Sequence, residues 1–175
     1  MMYQTIQTLL GILRLQRGPQ DLPSSSSLLA ACVIALIALQ GGLGQAFIPD
    51  DPSIFPQAVV SGAVTLGWLY LLLRLFNRGA RFLQTATAIF GIAALLTPIS
   101  IPLVSAVRPD DEGMLTLSVW SLLAFALSVY LIYLNARILR EAIERPMFQC
   151  VLLFLAGEML VFSVVLATGI GLPPA

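Results

Sequence analysis

Five long apolar runs, short connections between them, and nine arginines sorted almost entirely to one side define an all-α integral membrane bundle. It has five transmembrane helices, preceded by a short N-terminal amphipathic interfacial helix. The chain is 175 residues long, 58% hydrophobic and only 10% charged. Its apolar runs cover about residues 28–47, 54–76, 82–107, 114–139 and 147–170, each near or above the roughly 20 residues that cross a bilayer. Residues 1–27 form a cytoplasmic amphipathic lead and residues 28–175 the transmembrane domain. The connections leave no room for a soluble domain.

In the lead, Ile6, Leu9, Leu10 and Leu13 recur at helical spacing, with Gln4, Gln7, Thr8, Gly11 and Arg14 opposite. That pattern predicts a helix lying on the membrane surface or packed on the cytoplasmic end of the bundle, the two being compatible. Gly18 and Pro19 are expected to end it, and the serines from Ser24 to Ser27 to cap the first span. That span starts after a long lead and exceeds the roughly 7–15 residues of a signal-peptide core, so it reads as retained. Its small residues Ala31, Ala35, Ala38 and Gly42 predict a face turned into the bundle. Ala58 and Gly62, and beside them Ala63 and Gly67, predict packing faces in the second span.

The connection over residues 77–81 is so short that spans two and three are expected to be antiparallel neighbours in a tight hairpin. Span three presents Thr87, Gly91 and Ala94 on one face. Pro98 and Pro102 each remove a backbone donor, which predicts a kink or partial unwinding of its outer half. Span four is expected to continue past the membrane as a charged helix stopped by Pro146. There Arg137 and Glu141, Arg140 and Glu144, and Glu141 and Arg145 stand four residues apart, the spacing of helical ion pairs.

Charge sets the orientation. Arg14 and Arg17 precede span one, Arg74, Arg78 and Arg81 surround the second connection, and Arg137, Arg140 and Arg145 surround the fourth. Arg108 alone lies opposite, among Asp50, Asp51, Asp110, Asp111 and Glu112. The positive-inside rule then puts the N-terminus in the cytoplasm and the C-terminus in the periplasm or outside. Exclusive use of arginine and a compact build suggest a bacterial inner membrane. With zero net charge and arginines strung along membrane boundaries, no nucleic-acid surface is expected.

Histidine and lysine are absent, which removes Ser-His and Cys-His pairs, histidine-ligated metals and the P-loop lysine. Cys32 and Cys150, inside apolar runs, read as small buried residues rather than a disulfide. No cofactor, metal or catalytic set is expected. One ionisable residue, Glu158, falls near the middle of a span, where a charge is costly. It either ties two helices together as a neutral group or serves proton- or ion-linked transport, with Gln40, Thr65, Thr97 and Ser100 as partners of suitable depth. With Gln40, Thr97, Pro98 and Pro102 it forms a candidate intramembrane polar site. A candidate cytoplasmic docking face comprises Arg14, Arg17, Arg78, Arg81, Arg137, Arg140, Glu141, Glu144 and Arg145; its simpler reading is a solvated helix end.

Residues Leu9 to Leu13 followed by Pro19, then Gly79, Phe82, Gln84, Thr85, Ala88 and Pro98, and Trp120 early in span four, resemble the Yip proteins, interactors of the Rab-type GTPase Ypt. Five spans with a cytoplasmic N-terminus are similar to that family as well. The resemblance implies a small membrane protein without catalytic residues, acting through membrane shape or partners. The short lead departs from the long acidic cytosolic region of eukaryotic members, and with it from Rab binding; no functional residue is carried over. The leading expectation is therefore a non-enzymatic adaptor, scaffold or membrane organiser, whose partners are the lipid bilayer and other membrane proteins or a second copy of the chain. The alternative is a small transporter or channel using Glu158 and the Pro98/Pro102 helix break; a lipid-modifying enzyme ranks third because no acid-base pair is visible.

Overall fold

A computed structural model describes residues 2–47, 53–107 and 118–169, and among these it is entirely helical. Its helices are α1 (Met2–Leu13), α2 (Ser26–Phe47), α3 (Ile54–Leu75), α4 (Phe82–Ser105), α5 (Val119–Ile143) and α6 (Met147–Ala167). Helices α2 to α6 are long and apolar enough to cross a membrane, which makes the chain a multi-pass α-helical membrane protein. The acidic connections, Arg108 and the expected start of the fourth span at residue 114 lie outside the described residues.

Local chemistry fixes the ends. Ser25 caps α2, its hydroxyl accepting from the Leu28 amide at 3.3 Å. Ser118 caps α5 reciprocally with Ser121, two orphan donors satisfied at once. Helix α3 ends in a Schellman turn: the Arg78 amide donates to Leu73 O at 2.7 Å and the Asn77 amide to Arg74 O at 3.1 Å. Asn77 takes the left-handed conformation at φ 58°, which asparagine tolerates. Helix α1 ends likewise, with Leu15 left-handed and Gln16 donating to Gly11 O. It therefore stops before Gly18, the stop expected from sequence, because the Schellman bonds close its last carbonyls earlier. Gly18 instead opens a 3-10 turn over Pro19–Asp21.

Helix α4 is the centre of the bundle, with nearly every residue from Thr85 to Thr97 buried. It packs chiefly on α2, and also on α5 and α1; α3 lies on α2 and α6, and α6 on α5. Spans two and three (α3 and α4) are neighbours as expected: a short link with a 3-10 turn at Gly79–Arg81 joins them, and Tyr70 meets Phe82 edge to face at 5.6 Å, although α4 gives more of its length to α2. The close approach runs through Gly91, where an added Cβ would lie 2.9 Å from a Leu9 methyl of α1 and 3.5 Å from Cys32 Sγ of α2.

The small stripe of α2 is also placed differently. Ala31, Ala35, Ala38 and Gly42 are all exposed, while Leu29, Leu36, Gly41 and Gly44 turn inward. Gly41 and Gly44 admit Phe55 and Ile54 of α3, and this interlock decides which face of α2 is inside. In α3, Ala58 and Gly62 are buried, whereas Ala63 and Gly67 are exposed. Large apolar side chains such as Ile34, Leu71, Ile99, Phe125, Phe148 and Phe162 cover the outside, a surface suited to lipid.

Helix α1 docks on this bundle with a rotated face. Thr5, Thr8, Leu9 and Ile12 are buried, while Ile6 and Leu10 of the expected apolar face are exposed beside Tyr3. The Gly91 recess explains the rotation by admitting Leu9. The Tyr130 hydroxyl of α5 donates to Leu13 O, and Arg17 reaches back to Thr8 Oγ1 at 3.0 Å.

Candidate functional site: a polar cavity between the spans

Five spans converge on one cavity of about 730 Å³, inside the roughly 300–1,000 Å³ range of small-molecule pockets. Helix α2 contributes Gln40, α3 contributes Gln57, Ser61 and Thr65, and α4 contributes Thr97 and Ser100. Helix α5 adds Ser128 and Asn135, and α6 adds Glu158. The rest of the wall is mainly apolar, including Leu36, Ile89, Phe90 and Phe154, with Trp68 among the aromatic residues. Glu158 follows Met147 by 11 residues, about 16 Å along the helix, so the cavity includes the middle of the apolar layer.

Three hydroxyls on the wall turn their protons back to their own helices. Thr97 Oγ1 donates to Ala93 O at 2.7 Å, Ser100 Oγ to Thr97 O at 3.3 Å, and Ser128 Oγ to Ala124 O at 2.9 Å. Such bonds satisfy the donor and leave oxygen lone pairs free. Asn135 Nδ2 likewise donates to Leu131 O at 2.9 Å, but its buried Oδ1 has no partner, and neither has the buried Trp68 Nε1. Glu158 is exposed at the wall and makes no hydrogen bond or ion pair with any described residue. It therefore does not tie two helices together through a described side chain. Beside it Gly157 is buried, and a Cβ there would stand 2.6 Å from both Cδ1 and Nε1 of Trp68. The missing side chain is what lets the indole lie against α6.

Of the sequence-derived polar set, Glu158, Gln40 and Thr97 share this cavity, as do Thr65 and Ser100. Pro98 and Pro102 do not line it. Nor is there a helix break: α4 remains helical through both prolines to Ser105, and the transporter alternative built on an unwound segment is corrected on this point. Nearby hydroxyls bond the carbonyls of Ala93, Thr97 and Pro102, Ser105 Oγ reaching Pro102 O at 2.9 Å, not those of Ala94 and Pro98, whose i+4 donors the two prolines remove. Gln57, Ser61, Ser128 and Asn135 were visible as polar interruptions of apolar runs, but nothing in one dimension turns them toward Glu158. Trp68 carried no signal, because its role depends on a glycine in another span.

Part of the arginine-bearing end is neutralised internally. Glu144 pairs with Arg78 and with Arg81, the latter at 2.9 Å, and Arg137 pairs with Glu141 at 3.2 Å. Arg81 also donates to the carbonyls of Glu141 at 2.9 Å and Ala142 at 3.2 Å, filling acceptors that the C-terminus of α5 leaves open. Two of the three expected i,i+4 pairs do not form. The helix stops at Ile143 and Glu144 turns left-handed at φ 56°, swinging its carboxylate to α3's end of the chain and Arg145 out of register. Arg145 instead lies over the Phe76 ring at 5.4 Å. A cleft of about 830 Å³ runs past Tyr133, Arg140 and Met147. Arg17 is engaged by Thr8, whereas Arg14 and Arg140 are exposed and unpaired among the described residues.

Fold and cavity define the class: a small multi-pass helical membrane protein with a largely apolar chamber between its spans that carries polar groups from each of them. No protein-family model, curated protein or solved structure matches the chain.

Proposed function

We propose that the protein is a non-enzymatic small-solute transporter whose binding site is the cavity containing Glu158. The observation that carries this reading is that polar side chains from five spans share one cavity with a carboxylate that has no partner among the described residues. A carboxylate near the centre of a bilayer costs about 2.5–3.5 kcal/mol on insertion scales. A purely structural carboxylate would recover that cost through a neighbouring helix, and here no described residue supplies the bond. Orientation enters the proposal through the arginine asymmetry, which supports an arginine-bearing end in the cytoplasm, and the exclusive use of arginine with a compact build supports a bacterial inner membrane.

Cysteine accessibility tests the site. In a background lacking the native thiols (Cys32→Ala, Cys150→Ala), single substitutions Ser61→Cys, Thr97→Cys and Ser128→Cys are reconstituted in liposomes and exposed to a water-soluble cationic methanethiosulfonate. All three should react, and Leu73→Cys, wholly buried outside the cavity, should not. Absence of reaction at the three cavity positions would sink the solute-site reading.

The adaptor reading, to which the Yip resemblance also leads, keeps one specific support: Arg14 and Arg140 are exposed and unpaired at the charged end. It predicts a reproducible membrane partner on mild-detergent purification, lost on Arg14→Glu plus Arg140→Glu. Recovery of the chain without any such partner counts against it.

A further inference from the structure

We propose that the cavity takes a monovalent organic cation bearing apolar groups, an inference that rests on reading the cavity as a solute site. Among the described residues, Glu158 is the only titratable side chain on the cavity wall, and no described arginine lines it. An anion would meet a carboxylate with no compensating positive charge, whereas a cation supplies the missing partner.

Three hydroxyls of the wall have the same polarity, although Gln40, Gln57 and the unpartnered Trp68 Nε1 at the same wall carry N–H donors. Thr97, Ser100 and Ser128 have spent their protons on helix carbonyls. These groups face a ligand as acceptors, which suits a donor or a positive charge. Trp68, Phe90 and Phe154 add aromatic surface at the same wall, and aromatic faces attract organic cations. The apolar remainder matches hydrocarbon substituents. A divalent metal fits poorly, since such ions need several hard oxygen ligands, commonly more than one carboxylate. Among the described residues, no cluster of three or more metal-ligating side chains is present.

Tetraphenylphosphonium and tetraphenylborate provide the test, being nearly the same shape with opposite charge. Each is measured separately by equilibrium binding to the full chain in zwitterionic-lipid nanodiscs, against empty nanodiscs. Saturable binding of the cation near one per chain is expected, with no saturable binding of the anion. Glu158→Gln should weaken the cation at least tenfold, and Glu158→Asp should restore it to within about threefold of the native protein; near-native tryptophan emission in a Trp120→Phe background, where Trp68 is the sole indole, confirms that the variants are folded. Equal affinity for the two ions, or unchanged cation affinity in Glu158→Gln, overturns the inference. The thiol reaction at Thr97→Cys, run in the same nanodiscs, separates the two levels. A reactive thiol without cation binding overturns the cation assignment and leaves the solute site standing; an unreactive thiol without cation binding overturns both.

Discussion

Replacing Gly157 with alanine tests the packing that builds the cavity wall. The new Cβ would lie 2.6 Å from Cδ1 and Nε1 of Trp68 and 3.4 Å from its Cε2. Favourable carbon contacts lie at roughly 3.5–4.0 Å, so the indole or α6 must move by about 1 Å. Overpacking of this kind costs about 1–3 kcal/mol, offset in part by the roughly 1 kcal/mol that alanine gains over glycine in a helix. Gly62→Ala supplies the control, because its Cβ would meet its nearest neighbours, Ile37 and Phe90, at an ordinary 3.8 Å. It should collect the helix gain without the clash. Subtracting the two isolates the overpacking at about 1–3 kcal/mol; at the roughly 2–4 °C per kcal/mol of domains this size, Gly157→Ala should melt about 2–12 °C below Gly62→Ala. Trp120→Phe leaves Trp68 as the sole indole, so thermal unfolding in detergent can be followed by its emission, whose maximum should shift in Gly157→Ala. Equal melting temperatures with an unmoved emission maximum would refute the contact.

Glu144 balances a left-handed backbone against two half-exposed ion pairs. Each such pair is worth under about 1 kcal/mol and glycine recovers about as much at this position. Glu144→Gly should therefore be near neutral, while Glu144→Ala falls about 1 kcal/mol below it in denaturant melts; equal stability of the two variants would refute the left-handed cost, and a loss well above about 1 kcal/mol in Glu144→Gly would show that the ion pairs dominate. Tyr130→Phe removes the hydroxyl that holds Leu13 O, worth about 1 kcal/mol. The expected result is about fivefold faster tryptic cleavage at Arg14 or Arg17, and an unchanged rate would mean that this bond does not hold α1. Cys150 is fully buried, with its thiol directed to Arg145 O at 3.6 Å, and Cys32 is half-buried. Neither should react with maleimide in mild detergent, and both should after denaturation; stoichiometric labelling of the folded protein would contradict this packing.

Helix number and approximate limits were legible because lipid makes the same demand of every span: a run of apolar residues long enough to cross, with backbone bonds closed inside the helix. The Arg137–Glu141 pair was legible too, since both partners lie on one helix. The other two expected pairs failed because left-handed Glu144 ends the helical register, an outcome settled by Arg78 and Arg81 some sixty residues away in the chain. In the same way, the polar residues near Glu158 were visible as exceptions in apolar runs, but their shared cavity was not.

By itself the sequence determined an all-helical, multi-pass membrane bundle and a carboxylate within one span, because composition, run length and spacing act along the chain. Only the tertiary structure decided which faces meet. Ala31, Ala35, Ala38 and Gly42 had the spacing of a packing stripe and look outward, while Gly91 and Gly157 receive Leu9 and Trp68. In lipid the driving force between apolar helices is close packing rather than removal of apolar surface from water. The inward face is therefore chosen by the shape of a partner helix, and that information lies in no single segment.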